Sequence, residues 1–509
     1  MGPSVANKRL AAGLIAALAA AALSAPWPIR ANAEQVLRVA SYSLPKALGN
    51  PHSSTSISEI YTWVAIFDNL TKVAANGRVL PALALSWEAL DPLTWRFRLR
   101  EGVTFSNGEP FDAHAVVANI QYITSDAAKR ESVAREFRHV AGASAVDAYT
   151  VDITTTQPVL VLPAKLAAFR MVAPRHWQAL GPEGFARNPV GTGPFKAVRW
   201  RAAKVELVAY RGSWRPPRVD RLEIYQIPDP SARLQGIQSG QLDIALILAP
   251  DDIEAIESTG NKMHIGPGTS VTGMAFVTQK DSPIRDRRVR QALNYAVDKQ
   301  AIVDALFLGY TRPAGQPGIH TANGYNPDIK PYPYDPDKAR RLLAEAGYAD
   351  GFDMVAEVVL SGSTAAVPVY SFVAQQLAAV GVKLEVRGVP IAQLISKSIS
   401  GDWAGTAFGM DYDVKPTLDI MRPIPMHSCQ RINPWHCDES VMPLIEAAQR
   451  EFDPDKRLEI LHELARIYHE DPPMLYFYEL VLFDGLSSRV RGFNPINRII
   501  NYDEIWLAD

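Results

Sequence analysis

The apolar positions of the 509-residue chain change period several times, and the clearest change lies at 94–123, TWRFRLREGVTFSNGEPFDAHAVVANIQYI. Trp95, Phe97 and Leu99 alternate with Arg96, Arg98 and Arg100, the two-residue period of a half-buried strand. Asn107-Gly108 supplies a turn. Past Pro110 the spacing lengthens, and Ala113, Val116, Val117 and Ile120 recur at three and four residues, which predicts a helix with one apolar face. Nothing in this stretch is an evident nucleophile, so it reads as scaffold.

The same reading predicts a first strand at 34–42, EQVLRVASY, and a helix from about Ile60 to Leu70. AYTVDITTT reads as a strand and LPAKLAAFRMVAP as a short helix or strand, and GTGPF at 191–195 sets two glycines and a proline against Phe195. KAVRWRAAKVELVAYRGSW then predicts a hairpin. A strand carrying Leu222, Ile224 and Ile227, a helix with Leu234 and Ile237, and a strand at Asp243-Ile244-Ala245 follow. The second half is richer in helices: Val289, Ala292, Leu293 and Ala296 form one stripe, and Asp298 caps a helix bearing Ile302, Val303 and Leu306. YDPDKARRLLAEAGY and FDPDKRLEILHELARIYHEDPP share one grammar, an aspartate cap (Asp335, Asp453) followed by a first-turn proline (Pro336, Pro454). Their acidic clusters are therefore caps rather than metal sites. Alternating strands and helices predict an α/β or α+β fold.

The N-terminus changes the picture of where such a chain works. Lys8 and Arg9 precede an apolar, Ala-rich run from Leu10 to Leu23, and Ala31-Asn32-Ala33 fits a cleavage site before Glu34. A bilayer span needs about 20 apolar residues, more than this run supplies. Residues 1–33 are expected to be a signal peptide, and no cysteine lies nearby to take a lipid anchor. What remains, 34–509, is long enough for two or more domains. Charge is nearly balanced, 52 Lys and Arg against 54 Asp and Glu, which argues against a nucleic-acid partner.

Both cysteines of the chain, Cys429 and Cys437, fall in HSCQRINPWHCDE. An exported chain lives where disulfides persist, and the spacing suits a closed loop. The rival is a metal site built with His427 and His436, although zinc favours tighter cysteine spacing and a second ligand cluster. No G-x-S-x-G run and no H-E-x-x-H helix is present, so no enzyme is expected. No cofactor and no metal are expected either.

LPALALSWEALDPLTWRFRLREGVTFSNGEPFDAHAVVANI, NPVGTGPF, ARLQGIQSGQLDIA, VRQALNYAVDKQAIV, YDPDKARRLLAEAGY and DPDKRLEILHELARIYHEDPPMLYFY together resemble the extracellular solute-binding proteins, family 5, of ABC importers, the class that includes periplasmic dipeptide- and oligopeptide-binding proteins. These stretches span nearly all of 34–509 in the family's order. The resemblance implies a bilobal α/β periplasmic-binding-protein fold of the large, class II (cluster C) type. Lobe one would comprise 34–272 plus 480–509, with an extra subdomain inserted near 83–189, and lobe two 273–479. It implies a periplasmic monomer that closes on a peptide or small amine-bearing solute and delivers it to an inner-membrane permease. By the family's register Asp411, in GMDYDVKP, pairs with the ligand amine, and Tyr412 lies in the same segment. Lys415 departs from the family pattern and would suit a carboxylate or phosphate instead. Trp435 would bound the ligand, and the family's dipeptide binders support a Cys429–Cys437 disulfide. Alternatives within the same role are an opine, oligosaccharide, haem or nickel chelate as solute; outside it stands a chaperone-like periplasmic protein.

Overall fold

The structure is a computed structural model that describes Met1, residues 34–360 and residues 365–508. Apart from Met1, the segment expected to be a signal peptide lies outside the described residues. Among those described, no helix is long and apolar enough to cross a membrane.

The first strand, Val36–Ser41, pairs in parallel with Arg221–Gln226 on one side and Ile244–Ala245 on the other. Leu37, Val39 and Ala40 are fully buried, as expected where helices cover a parallel sheet. Antiparallel strands Lys204–Ala209 and Phe195–Arg201 extend this half of the sheet. The other half holds Ala407–Asp413, Phe352–Val358 and the edge strand Val382–Gly388. Between them lie two long neighbours, Lys262–Phe276 and Met474–Leu486, making one ten-stranded sheet. Each long strand belongs to both halves, because its two ends pair with different neighbours.

A separate four-stranded antiparallel sheet, in the order Ala84–Asp91, Thr94–Leu99, Thr150–Thr155, Val140–Asp147, carries its own core. Here the two-residue period at 94–99 is realised, with Trp95, Phe97 and Leu99 buried and Arg96 bonded to Asp152 at 2.8 Å. The helix that follows runs Ala113–Ile123 and is capped by the Asp112 carboxylate, which accepts from the Ala115 N–H at 2.9 Å. Ala113, Val116 and Ile120 are buried in that core and Val117 is half-buried.

The aspartate caps are also as the local grammar predicts. Asp298 accepts from Ala301, Asp335 from Lys338, and Asp453 from Asp455 and Lys456. One helix boundary differs from the sequence reading: the helix expected from about Ile60 to Leu70 runs Ile57–Ile66. Its end is set by a distant segment. Gly193 donates its N–H to the Ile66 carbonyl at 2.9 Å, and a Cβ at 193 would come within 2.6 Å of the Ile66 carbonyl carbon. Phe67 is turned into extended backbone at this contact.

Cys429 and Cys437 form a disulfide, with Cα atoms 4.5 Å apart. No cluster able to hold a metal occurs among the described residues. The loop that the disulfide closes packs Trp435 inward, and the Trp435 carbonyl accepts from the Thr278 N–H at 2.7 Å. A Cys429→Ser/Cys437→Ser variant is expected to lose about 2–3 kcal/mol of stability, the chain-entropy contribution of so short a loop. Urea unfolding of native and variant protein checks this; an unchanged midpoint contradicts it.

Candidate functional site

The site begins where the two long strands cross between the halves of the sheet. Their pairing slips between Pro267 and Val271, opposite Val481 and Glu479. Gly268 sits in this slip, where a Cβ would lie 2.7 Å from Leu480 Cβ. Just beyond it, Asp411 and Asp413 stand opposite Thr272 and Ser270. Two residues apart on one strand, the two carboxylates share a face.

Asp411 is open to solvent on one side but enclosed by protein on the others, as on the floor of a cleft. That enclosure raises its carboxyl to about 6, against the opposing influence of Thr272, Arg498 and Lys415 and with help from Asp413. Among the described residues no cation reaches it at ion-pair distance. Asp413 differs: burial works to raise its carboxyl, but Lys415 and Arg422 outweigh that and hold it below the ordinary value. Lys415 Nζ bonds Asp413 Oδ2 at 2.6 Å, so this cation is already paired.

Tyr412 and Trp435 do not join this face. Alternation along the strand points Tyr412 away from Asp411, and its ring is fully buried, stacked on His427 with centroids 4.0 Å apart. Trp435 is 1 % exposed. Its Nε1 donates to His427 Nδ1 at 3.1 Å, Phe408 and Trp403 meet it edge-on, and the Arg431 guanidinium covers it at 4.2 Å. Both rings are core residues, Tyr412 on the strand Ala407–Asp413 and Trp435 in the disulfide loop, and neither has a face left for a solute.

Beside Lys415 a cavity of about 120 Å³ opens. Ile60, Val64 and Phe67 line it from the first helix and its end, Asn497, Ile499 and Ile500 from the C-terminal segment, and Lys415, Pro416 and Arg422 from the opposite half. Its charged lining is five cations, Lys72, Arg170, Arg215, Lys415 and Arg422, against two carboxylates, Asp68 and Glu136. Both carboxylates are occupied. Asp68 accepts from Arg215 at 2.6 Å and from Trp214 and Thr192 at 2.8 Å. Glu136 pairs with Arg422 at 3.2 Å and Lys165 at 3.6 Å.

Arg498 was not among the residues singled out from sequence, nor were Lys72, Arg170 and Arg215. Arg498 lies beside Tyr61 and Asp413, on backbone at φ 68°. The local signal for Arg170 is a lone charge inside the apolar run AAFRMVAP. Lys72, Arg215 and Arg498 carry no local signal at all.

A buried carboxyl, Asp484, accepts from Ile247 N–H at 2.9 Å, and burial raises it to about 6 despite that bond and nearby Arg498 and Arg233. The unfolded carboxyl ionises near 3.8, so the proton favours the folded state at low pH and that advantage is lost as pH rises to about 6. Asp484→Asn, which keeps an acceptor for Ile247, is therefore expected to stabilise the unliganded protein at pH 7.5, by at most about 3 kcal/mol. It should bring no gain at pH 4. Melting curves at the two pH values decide it, and equal effects at both would contradict it.

Comparison with known proteins gives this geometry its setting. Residues 78–425 match the model of bacterial extracellular solute-binding proteins, family 5 middle. The glutathione-binding protein GsiB of Escherichia coli K12 is 35% identical over 314 residues, 60% of this chain and 59% of that protein; the match thus spans less than two thirds of the curated relative. Among solved structures, CtaP of Listeria monocytogenes, an ABC transporter substrate-binding protein, superposes with a TM-score of 0.84 at 20% identity, covering 94% of this chain and 100% of that one. DppA of Helicobacter pylori, a periplasmic binding protein in complex with the peptide STSA, gives 0.79 at 22%, covering 93% and 98%. The fold is the bilobal α/β class II, cluster C arrangement of these neighbours. The chain belongs to the bacterial extracellular solute-binding proteins of family 5, a non-catalytic class.

Proposed function

We propose that this protein is the solute-binding component of an ABC importer, taking a peptide or other small amine-bearing solute between its lobes and handing it to an inner-membrane permease. It works as a periplasmic monomer, exported by a cleavable signal peptide. Lobe one is 34–272 with 480–509, its inserted subdomain is 83–189, and lobe two is 273–479. The shared long strands and the slip at Pro267–Val271 support this division, since a sheet whose pairing is broken at one level can bend there.

The observation that carries the reading is Asp411, a carboxylate open to solvent and with no cation at ion-pair distance among the described residues. A ligand ammonium would supply the missing counter-charge in a site where an unpaired charge is costly. GsiB, a relative named for binding glutathione, supports a solute of short-peptide size. The test is mass spectrometry of whatever co-purifies, released by mild denaturation. A short peptide or another amine-bearing solute is expected. A sugar, haem or amine-free chelate would overturn the amine reading while leaving the transport role.

A further inference from the structure

Four arginines are buried among the described residues: Arg170, Arg233, Arg290 and Arg457. All but Arg170 have hydrogen-bond partners for their guanidinium groups, although the Nε of Arg233 is left without one. Arg233 donates to the carbonyls of Ile227, Pro228 and Ile247, and Arg290 to Asp471 and the carbonyls of Pro472, Ile284 and Arg285. Arg457 makes a two-pronged pair with Asp419 and bonds the Ala448 carbonyl. Arg170 is 3 % exposed, yet its guanidinium makes no hydrogen bond and no ion pair with any described residue, and its Nε is sealed from water. Its one polar-facing contact is the Trp63 ring, 5.7 Å from the guanidinium carbon. A buried charge without a partner is costly, because nothing in the interior replaces the hydration that it has lost.

The neighbourhood cannot supply the missing anion. Asp68 and Glu136, the carboxylates of the same cavity, are committed to other cations. His52, close enough to feel the charge of Arg170, is kept neutral by burial and by that charge, at about 3. Burial alone lowers Arg170 to about 10, with no anion working the other way. Lys72, on the same cavity, has no bonded partner for its ammonium among the described residues, and burial together with Arg215 lowers that ammonium. The cavity of about 120 Å³ holds far more than the one water that about 10–15 Å³ admits.

We propose that Arg170, with Lys72 as a second cation, forms a subsite for a carboxylate of the bound solute. A guanidinium offers a planar fork that meets a carboxylate through two parallel bonds, and unpartnered Arg170 lines a cavity to which Lys415 and Arg422 also contribute. The subsite rests on reading this cleft as the place where solute binds, and it narrows the solute class: an acidic small peptide or amino-acid derivative, with an ammonium for Asp411 and a carboxylate for Arg170. A solute with the amine alone leaves the buried cation unpaired and binds weakly.

The test is calorimetric titration of native protein, Arg170→Met, Arg170→Lys and Lys72→Met with a panel of glutathione, Gly-Glu and Glu-Gly, each as free acid, as carboxamide and in N-acetylated form. Native protein should bind at least one free acid about 30-fold or more tightly than its carboxamide, and Arg170→Met should lose that preference. Arg170→Lys should recover part of it, and Lys72→Met should lose less than Arg170→Met. Melting of the unliganded protein adds a readout that a structural role would move the other way: Arg170→Met should melt at the same temperature or higher, because it removes an unpaired buried charge. Native protein that binds none of the acids, or binds acid and carboxamide alike, overturns the subsite, as does an Arg170→Met variant that melts lower while binding unchanged. Failure of the amine reading shows separately, as equal binding of the N-acetylated and free forms.

Discussion

Asp411→Ala is expected to weaken binding of an amine solute by about 2–5 kcal/mol, roughly 30-fold or more, the usual consequence of removing one partner of a buried hydrogen-bonded charge pair. The unliganded protein should melt at nearly the native temperature, because Asp411 faces open space and has no ion-pair partner to lose. The same carboxyl makes the affinity depend on pH. Raised to about 6 by its enclosure, it is ionised above that value, and only the ionised form attracts an ammonium. Affinity should be full above pH 6 and fall by up to about tenfold for each unit below it, while the Asp411→Ala variant should show no such slope in this range. Titration with free and N-acetylated peptides at pH 7.5 and 5 measures both effects. Equal affinity of native protein and variant, or a flat pH profile in the native protein, removes Asp411 from the site. Lys415, which lines the neighbouring cavity, is then the residue whose alanine variant should carry the loss.

Asp419→Ala should be the most destabilising single change discussed, costing about 3–5 kcal/mol. Asp419 is 2 % exposed and receives Arg457 through two bonds, at 2.6 and 3.1 Å. Asn323 Nδ2 and the Met421 N–H each donate to it at 2.8 Å. Removing the carboxylate leaves a buried guanidinium with no anion, as at Arg170. The paired variant Asp419→Ala/Arg457→Met should recover much of the loss, since it deletes both charges together. Urea midpoints for the two single variants and the double one close the cycle. Strictly additive losses would show that the pair is not the source of the destabilisation. The loop concerned also carries Lys415 and Arg422 into the cavity, so solute binding should weaken in the single variant as well.

Local chemistry was legible from the chain alone wherever a few neighbouring residues suffice. The alternation at Trp95, Phe97 and Leu99, the caps at Asp298, Asp335 and Asp453, and the pairing of Cys429 with Cys437 all act within one strand, one helix turn or one short loop. The segment holding Asp411 was found by its likeness to a family, through residues that lie together in sequence.

What only the tertiary structure decided is which face of each element meets solvent and which charges meet each other. Alternation places Asp411 and Tyr412 on opposite faces of one strand, but which face is the cleft depends on His427 stacking beneath Tyr412, and the same packing draws Trp435 into the core. The helix ending at Ile66 stops where Gly193 touches it, 127 residues later by number. Arg170 is the sharpest case. In sequence it is a lone charge in an apolar run, and nothing local says whether that charge finds a partner. Its isolation exists only once every potential partner has been assigned elsewhere in space, because desolvation and pairing depend on distances through the fold and not along the chain.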